Sequence, residues 1–292
     1  MTSIKTIHLK PKFNFGNQFL LLNKAIFYCE IIRCKRILLN KRNFWFIKNK
    51  IIDNENRMKI KLIDKKVYKT SGLINDKTLY FFSYINDIKP ELKINLLKKE
   101  IFRNLPKITI NTNDLYIYIR SGDIFISKNP HKDYAQPPLC FYQKIIINNK
   151  FKNIVILSKN KYNPNIKKLL SQFPSIIYNQ NSLKLDISYL SNAYNLVKAQ
   201  STLFFSILYL NKNIRLLWEF DFQNHIERSE NYLEKFLNSF NKPKRHFIIY
   251  RMKASTKYKN EMQNWKNSAS QIHLMINENC PYNFTIINNN IN

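Results

Sequence analysis

Two hydrophobic periods alternate along this chain. Leu115, Ile117 and Ile119 alternate with Tyr116, Tyr118 and Arg120, a period of two that predicts a strand. Similar short patterns predict strands over 4–9, 36–39, 153–157, 175–178, 195–198 and 214–218. Apolar residues three and four apart predict helices over 17–33, 91–102, 138–147, 164–172, 186–193 and 202–210. Phe19, Leu22, Ile26 and Cys29 share one face of the first of these. Pro138 opens its helix, and Asp186 stands at a cap position. Between 41 and 99 charges and aromatics break the pattern, so only short elements are predicted there. Beyond 225 the pattern is mostly helical. Met262, Trp265, Ala269, Ile272 and Ile276 form a stripe that reads as core packing. Strand–helix alternation predicts an α/β protein with parallel sheets, and the second half reads as a Rossmann-like unit. The expected domains are 1–108, 109–224 and a helical C-terminal segment, 225–292.

The chain has 292 residues, 45% of them hydrophobic, enough for two ordinary domains. Its net charge is +29. Such a charge favours anionic ligands at long range, whether nucleic acid, membrane surface or sugar nucleotide. The lysines are spread along the chain rather than gathered in one run, so they also fit a surface that simply uses Lys as its polar residue. No segment approaches the ~18–20 apolar residues that span a bilayer, and residues 1–12 hold no signal-peptide core. A cytoplasmic protein without a transmembrane segment is therefore expected. Cys29, Cys34, Cys140 and Cys280 show no C-x-x-C spacing. Without an export signal they read as reduced thiols, and they form no metal-ligand cluster with the five histidines.

Only three glycines occur, and two stand where a ligand loop would need them. Gly122 lies between Arg120 and Asp123, where the 115–119 strand should end. Gly16 lies in Phe15-Gly16-Asn17-Gln18, just before a helical pattern. Arg120 is a candidate phosphate ligand, because a guanidinium fork binds two phosphate oxygens at once. A structural ion pair with Asp123 is the competing reading. Ser201 and Thr202 open a helix, where they could cradle a second phosphate or serve as ordinary caps. Asp186 could bind a base or cap its own helix. Asp123 is the first candidate for a general base, with His131 and Asp133 as rivals in the proline-bounded loop that follows. Tyr134 and Gln136 of that loop could line an acceptor site. There is no D-x-D segment. Glu219-Phe220-Asp221 is the nearest approach to a cation site, and a solvated strand end is the plainer reading. No metal is expected.

Tyr118-Ile119-Arg120-Ser121-Gly122-Asp123 resembles the H-x-R-x-G-D motif of the GT-B fucosyltransferase-like glycosyltransferases. Three further segments agree in order. Phe15-Gly16-Asn17-Gln18 resembles the G-N-Q motif of the α1,2-fucosyltransferase branch. Residues 154–160 resemble a strand ending in S-x-D/N, at Ser158. Residues 186–193 followed by Ala199-Gln200-Ser201-Thr202-Leu203-Phe204 resemble the late donor-site motif. Three departures stand out: Tyr118 replaces the motif histidine, Ser121 replaces a second arginine, and Asn14 and Phe15 replace glycines. The resemblance implies a GT-B-like fold of two Rossmann-like domains. It also implies inverting, metal-independent transfer of fucose from GDP-fucose, or of another nucleotide sugar, to a glycan or glycoprotein hydroxyl. Donor contacts would come from Gly16, Asn17, Gln18, Tyr118, Ser158, Asp186, Ser201 and Thr202. No separate cofactor is expected. Two alternatives stand beside it: a basic nucleic-acid-binding protein, for which no recognition motif is present, and a non-catalytic relative of the fold.

Overall fold

The structure is a computed structural model. It describes residues 6–9, 15–16, 18–19, 21–22, 25–26, 36–40, 44–47, 51–53, 58–63, 91–222, 247–280 and 283–288. The chain divides into two compact units, Met1–Leu105 and Pro106–Asn292.

The first unit holds a four-stranded sheet made of β1 (Thr6–Leu9), β2 (Arg36–Asn40), β3 (Ile51–Asp53) and β4 (Met58–Ile63), ordered β1-β2-β4-β3. β1, β2 and β4 run parallel, and β3 is antiparallel at the edge. Helix α1 (Glu91–Asn104) ends the unit. Aromatic packing organises the core: Phe15 meets Phe46 edge-on, with centroids 4.9 Å apart, and Phe44 meets Phe46 at 5.7 Å. Phe15 and Gly16 are themselves helical, as are residues 18–19, 21–22 and 25–26. Gly16, expected in a loop, is therefore helical. Burial of Phe15 in the aromatic core holds that conformation.

The second unit is built on a seven-stranded sheet. Its strands are β5 (Leu115–Tyr118), β6 (Ile154–Leu157), β7 (Ile177–Asn179), β8 (Asn195–Val197), β9 (Leu216–Asp221), β10 (Ile248–Lys253) and β11 (Thr285–Asn288). The order is β11-β10-β9-β8-β5-β6-β7, parallel throughout except for β11. The six parallel strands follow the doubly wound order 3-2-1-4-5-6. Strands after β5 first build outward through β6 and β7, and the chain then returns to place β8 on the other side of β5. The switch point lies between β5 and β8, and sheets of this order generally bind ligands there, beyond the C-terminal ends of the strands.

Helices α2 (Asp123–Ile126), α3 (Leu139–Asn148), α4 (Pro164–Gln172), α5 (Leu183–Asn192) and α6 (Thr202–Leu210) connect the strands; α7 (Thr256–Met262) and α8 (Ala269–Asn277) follow β10. α3, α4 and α8 pack together, and α5 packs on α6. The alternation in β5 separates the two groups. Leu115, Ile117 and Ile119 enter the core that includes Phe141, Tyr142 and Met275. Tyr116 turns the other way and stacks on Tyr189 of α5 at 5.6 Å. The central strands are near-continuous apolar runs, as parallel strands covered on both faces require.

The structure departs from expectation in three places. The segment beyond 225 is not simply helical: β10 and β11 extend the sheet, and a short apolar run such as Phe247-Ile248-Ile249-Tyr250 does not reveal its period. The stripe through Met262, Trp265 and Ala269 is not one helix. Asn264 and Asn267 take left-handed backbone angles (φ 59° and 58°) and divide it into α7 and α8, leaving Trp265 buried in the turn between them. Cys140 and Cys280 are not free thiols: they form a disulfide with Cα atoms 5.7 Å apart. Cys29 and Cys34 lie outside the described residues.

Candidate functional site

Two loops meet at the end of β5. Ile119 continues the ladder through its N–H to the Leu157 carbonyl at 3.1 Å. Asn163, fully buried, then grips the next two residues. Its Nδ2 donates to the Arg120 carbonyl at 3.0 Å, and its backbone N–H donates to Ser121 Oγ at 2.9 Å. Ser121 Oγ in turn donates to Asn160 Oδ1 at 2.6 Å. Asn163 also caps α4 by accepting from the Asn165 N–H, with Pro164 in the first turn. Gly122 has φ +83°. A Cβ there would meet Asn160 at an ordinary 3.4 Å, so the backbone angle rather than space requires glycine.

The chain thereby delivers Arg120 with its side chain 14% exposed. Nη2 donates to Asp123 Oδ2 at 3.3 Å, Cζ lies 3.7 Å from the centroid of Tyr134, and Nε is buried without a hydrogen-bond partner. The Asp123 partnership foreseen from sequence therefore forms, but the carboxylate is 70% exposed. Exposed pairs of this kind contribute at most about 1 kcal/mol. The guanidinium keeps donors for a stronger anion. Tyr134 also lies close to His131, with ring centroids 5.0 Å apart. His131 Nδ1 accepts from the Asp133 N–H at 3.3 Å and lies 3.7 Å from Asp133 Oδ2. Arg120, Asp123, His131, Asp133 and Tyr134 thus gather along one loop. Gln136 departs from its expected acceptor role. It is fully buried, its Nε2 donates to the carbonyls of Tyr134 and Ala135, and it shapes the loop from inside. Ser158 is likewise buried and donates to the Asn160 carbonyl within its own turn.

A second group lies around Asp186. Ser182, not Asp186, caps α5, accepting from the Leu185 N–H. Asp186 sits one turn in, 4% exposed. Burial raises its carboxyl to about 7, and the neighbouring Asn181 amide pulls weakly the other way. Asn181 is near enough to favour the ionised form, yet neither Asn181 Nδ2 nor Asp186 Oδ1 completes a hydrogen bond of good geometry. The Tyr178 hydroxyl is also buried and unpartnered. Burial and the field of Asp186 raise its pKa, and Lys161 Nζ lies 4.6 Å from its ring centroid. Tyr118 links this group to the arginine. Its hydroxyl is pushed up to about 12, first by burial and then by Asp186, against the lowering effect of Arg120. Tyr178, Asn181 and Lys161 carried no sequence motif, and only pairing of β6 with β7 brings them near this end of the sheet.

Across the switch point, Ser201 stands at the N-cap of α6 without a capping bond, and its Oγ is buried and unpartnered. Thr202 begins the helix, but its side chain lies outside the described residues. The 119–122 and 198–201 loops leave adjacent strands β5 and β8 at the same end of the sheet. Glu219 is not available to a cation. Its Oε2 lies 3.0 Å from Lys198 Nζ and its Oε1 lies 2.5 Å from Arg251 Nε. Burial opposes its ionisation, but the two cations outweigh burial and hold the carboxyl below its usual range. Among the described residues no three His, Cys, Asp or Glu side chains are grouped to hold a metal, and no helix is long and apolar enough to cross a membrane. Gly16 and Gln18 belong to the first unit, and Asn17 lies outside the described residues. No protein-family model, no curated protein and no solved structure matches this chain.

Proposed function

We propose that the protein is an inverting glycosyltransferase that takes fucose from GDP-fucose, or a sugar from a related nucleotide donor, to a glycan hydroxyl without a metal. The observation that carries this reading is Arg120. A guanidinium with a buried, unpartnered Nε stands beside the switch point of a doubly wound sheet, where such sheets bind nucleotides. In this reading Arg120 holds the diphosphate and stabilises it as it leaves. Ser201, with its idle hydroxyl at a helix N-terminus, supports a second phosphate contact. Asp186, Asn181 and Tyr178 offer unmade hydrogen bonds suited to a polar base. Asp123 is the proton acceptor for the incoming hydroxyl, with His131 and Asp133 as rivals. The Cys140–Cys280 bond supports residence in an oxidising compartment rather than the cytoplasm.

A non-catalytic relative is the second reading. It is favoured by Tyr118, which cannot act as an imidazole, and by the contact between Arg120 and Asp123. Donor turnover in excess EDTA separates the two. The decisive variant is Arg120→Ala, which should abolish transfer in a protein that still folds. Arg120→Lys should recover little, since a point charge does not reproduce the fork. Unchanged affinity for GDP in the alanine variant would remove the phosphate role. Oligonucleotide binding that weakens steeply with salt would instead favour a nucleic-acid partner.

A further inference from the structure

The stretch that carries Tyr134, 123–137, is held by residues more than a hundred positions later. Trp265 makes two of the contacts. Its Nε1 donates to the Ile124 carbonyl at 3.0 Å, and its backbone N–H donates to the Lys132 carbonyl at 2.9 Å. Asn267 Nδ2 donates to the Phe125 carbonyl at 2.8 Å, and the Tyr258 hydroxyl donates to the Gln136 carbonyl at 2.7 Å. Four carbonyls of the 123–137 stretch, two in α2 and two in the loop after it, are thus satisfied by one segment, where exposed backbone otherwise relies on water for such partners.

The segment is itself stiff. Asn264 and Asn267, both left-handed, present Trp265 from the turn between α7 and α8. Gln271 closes that turn by accepting from the Lys266 N–H at 2.9 Å and donating to the Glu261 carbonyl at 3.0 Å. Ser255 Oγ donates to Glu278 Oε1 at 2.8 Å and so ties the start of α7 to the end of α8. The Cys140–Cys280 disulfide then joins the end of the segment to α3, which begins two residues after the loop.

We infer that Ser255–Cys280 is a clamp that sets the position of the 123–137 loop, with Trp265 as its positioning residue, and that the Cys140–Cys280 bond makes the clamped state depend on oxidation. Trp265 and Asn267 act through the loop backbone on Tyr134, and Tyr134 acts on Arg120. Reduction takes the covalent tie away and leaves only the hydrogen bonds and packing.

The test is site-resolved trypsin cleavage of the full-length protein. Lys128 and Lys132 are exposed in the loop, and Lys152 and Lys212 are exposed reference sites elsewhere in the same unit. Trp265→Phe keeps a ring and removes the Nε1 donor. It should raise cleavage after Lys128 and Lys132 roughly tenfold, the effect of one hydrogen bond on a local opening. Asn267→Gly, which tolerates the left-handed backbone at this half-buried position and removes the Nδ2 donor, should do the same. A Cys140→Ser/Cys280→Ser double variant should raise it roughly a hundredfold, and reductant should then add nothing at these sites. Cleavage at Lys152 and Lys212 should stay within about twofold in every variant, because local opening elsewhere is independent of the clamp. Unchanged cleavage in the loop, or an equal rise at all four sites, would overturn the inference.

Discussion

The guanidinium carbon of Arg120 lies 3.7 Å from the centroid of the Tyr134 ring. One residue ends a central strand and the other belongs to the following loop, so the contact couples the rigid sheet to a segment that must be positioned. The ring covers one face of the cation. The remaining donors are left to Asp123 or to an anionic ligand.

Replacing Tyr134 should therefore weaken anion binding without unfolding the protein. Loss of a cation–π contact costs ~0.5–2 kcal/mol. Tyr134→Leu should lower GDP affinity by about two- to thirtyfold, while Tyr134→Phe should stay near wild type. Calorimetric titration with GDP reads both, and equal losses in the two variants would point to the hydroxyl rather than the ring.

Asp123 follows Arg120 by three residues across the left-handed Gly122. In the proposed transfer Asp123 is the proton acceptor, so Asp123→Asn, which keeps the shape, should lower kcat by roughly 10²–10⁴-fold with donor binding little changed. His131→Ala and Asp133→Ala are the comparisons. A dead loop variant beside an active Asp123→Asn would move the base into the loop.

Asp186 should make the protein less stable as pH rises. Its folded pKa is about 7, raised from 3.8 by burial. Between these values the folded state keeps a proton that the unfolded chain has lost, so stability is full below about pH 4 and is lost as pH climbs to about 7. Asp186→Asn should flatten that slope and raise Tm at pH 7. A Tm–pH profile parallel to wild type would mean that Asp186 ionises freely when folded.

Glu219 is the hinge of a buried charge triad. Removing it in Glu219→Ala leaves Lys198 and Arg251 in a site where all three are less than a tenth exposed. The cost should be about 3–5 kcal/mol in urea unfolding. Replacing all three with apolar residues of similar volume should cost less, because both ion pairs to Glu219 are then removed together.

What could be read from the linear chain divides along a physical line. β5, Arg120 at its end and the need for glycine at 122 are local: period two, a strand end and a backbone angle are all written within eight residues. Asn163 was half legible, since Asn-Pro marks a helix start, but its grip on Arg120 spans 43 residues. Lys198 and Arg251 meet Glu219 only once β8, β9 and β10 are in register. The 140-residue span of the disulfide leaves no local trace at all. Gly16 shows the opposite error: a glycine in a sequence poor in glycine looks like a turn, but packing of Phe15 makes it part of a helix.

Synthesis proceeds in one direction, and the contacts of Trp265 impose an order on it. The ribosome makes the 123–137 loop long before the residues that brace it. At about 5–20 residues per second, roughly 6 to 26 s pass between the two. For most of that interval β5 and its neighbours can assemble while the loop waits without its backing; β10 is made only near its end, and β11 comes later still. The nascent chain therefore presents an unfinished sheet edge and an unbraced loop together, which makes this period the one in which a chaperone or an oxidising catalyst has most to act upon.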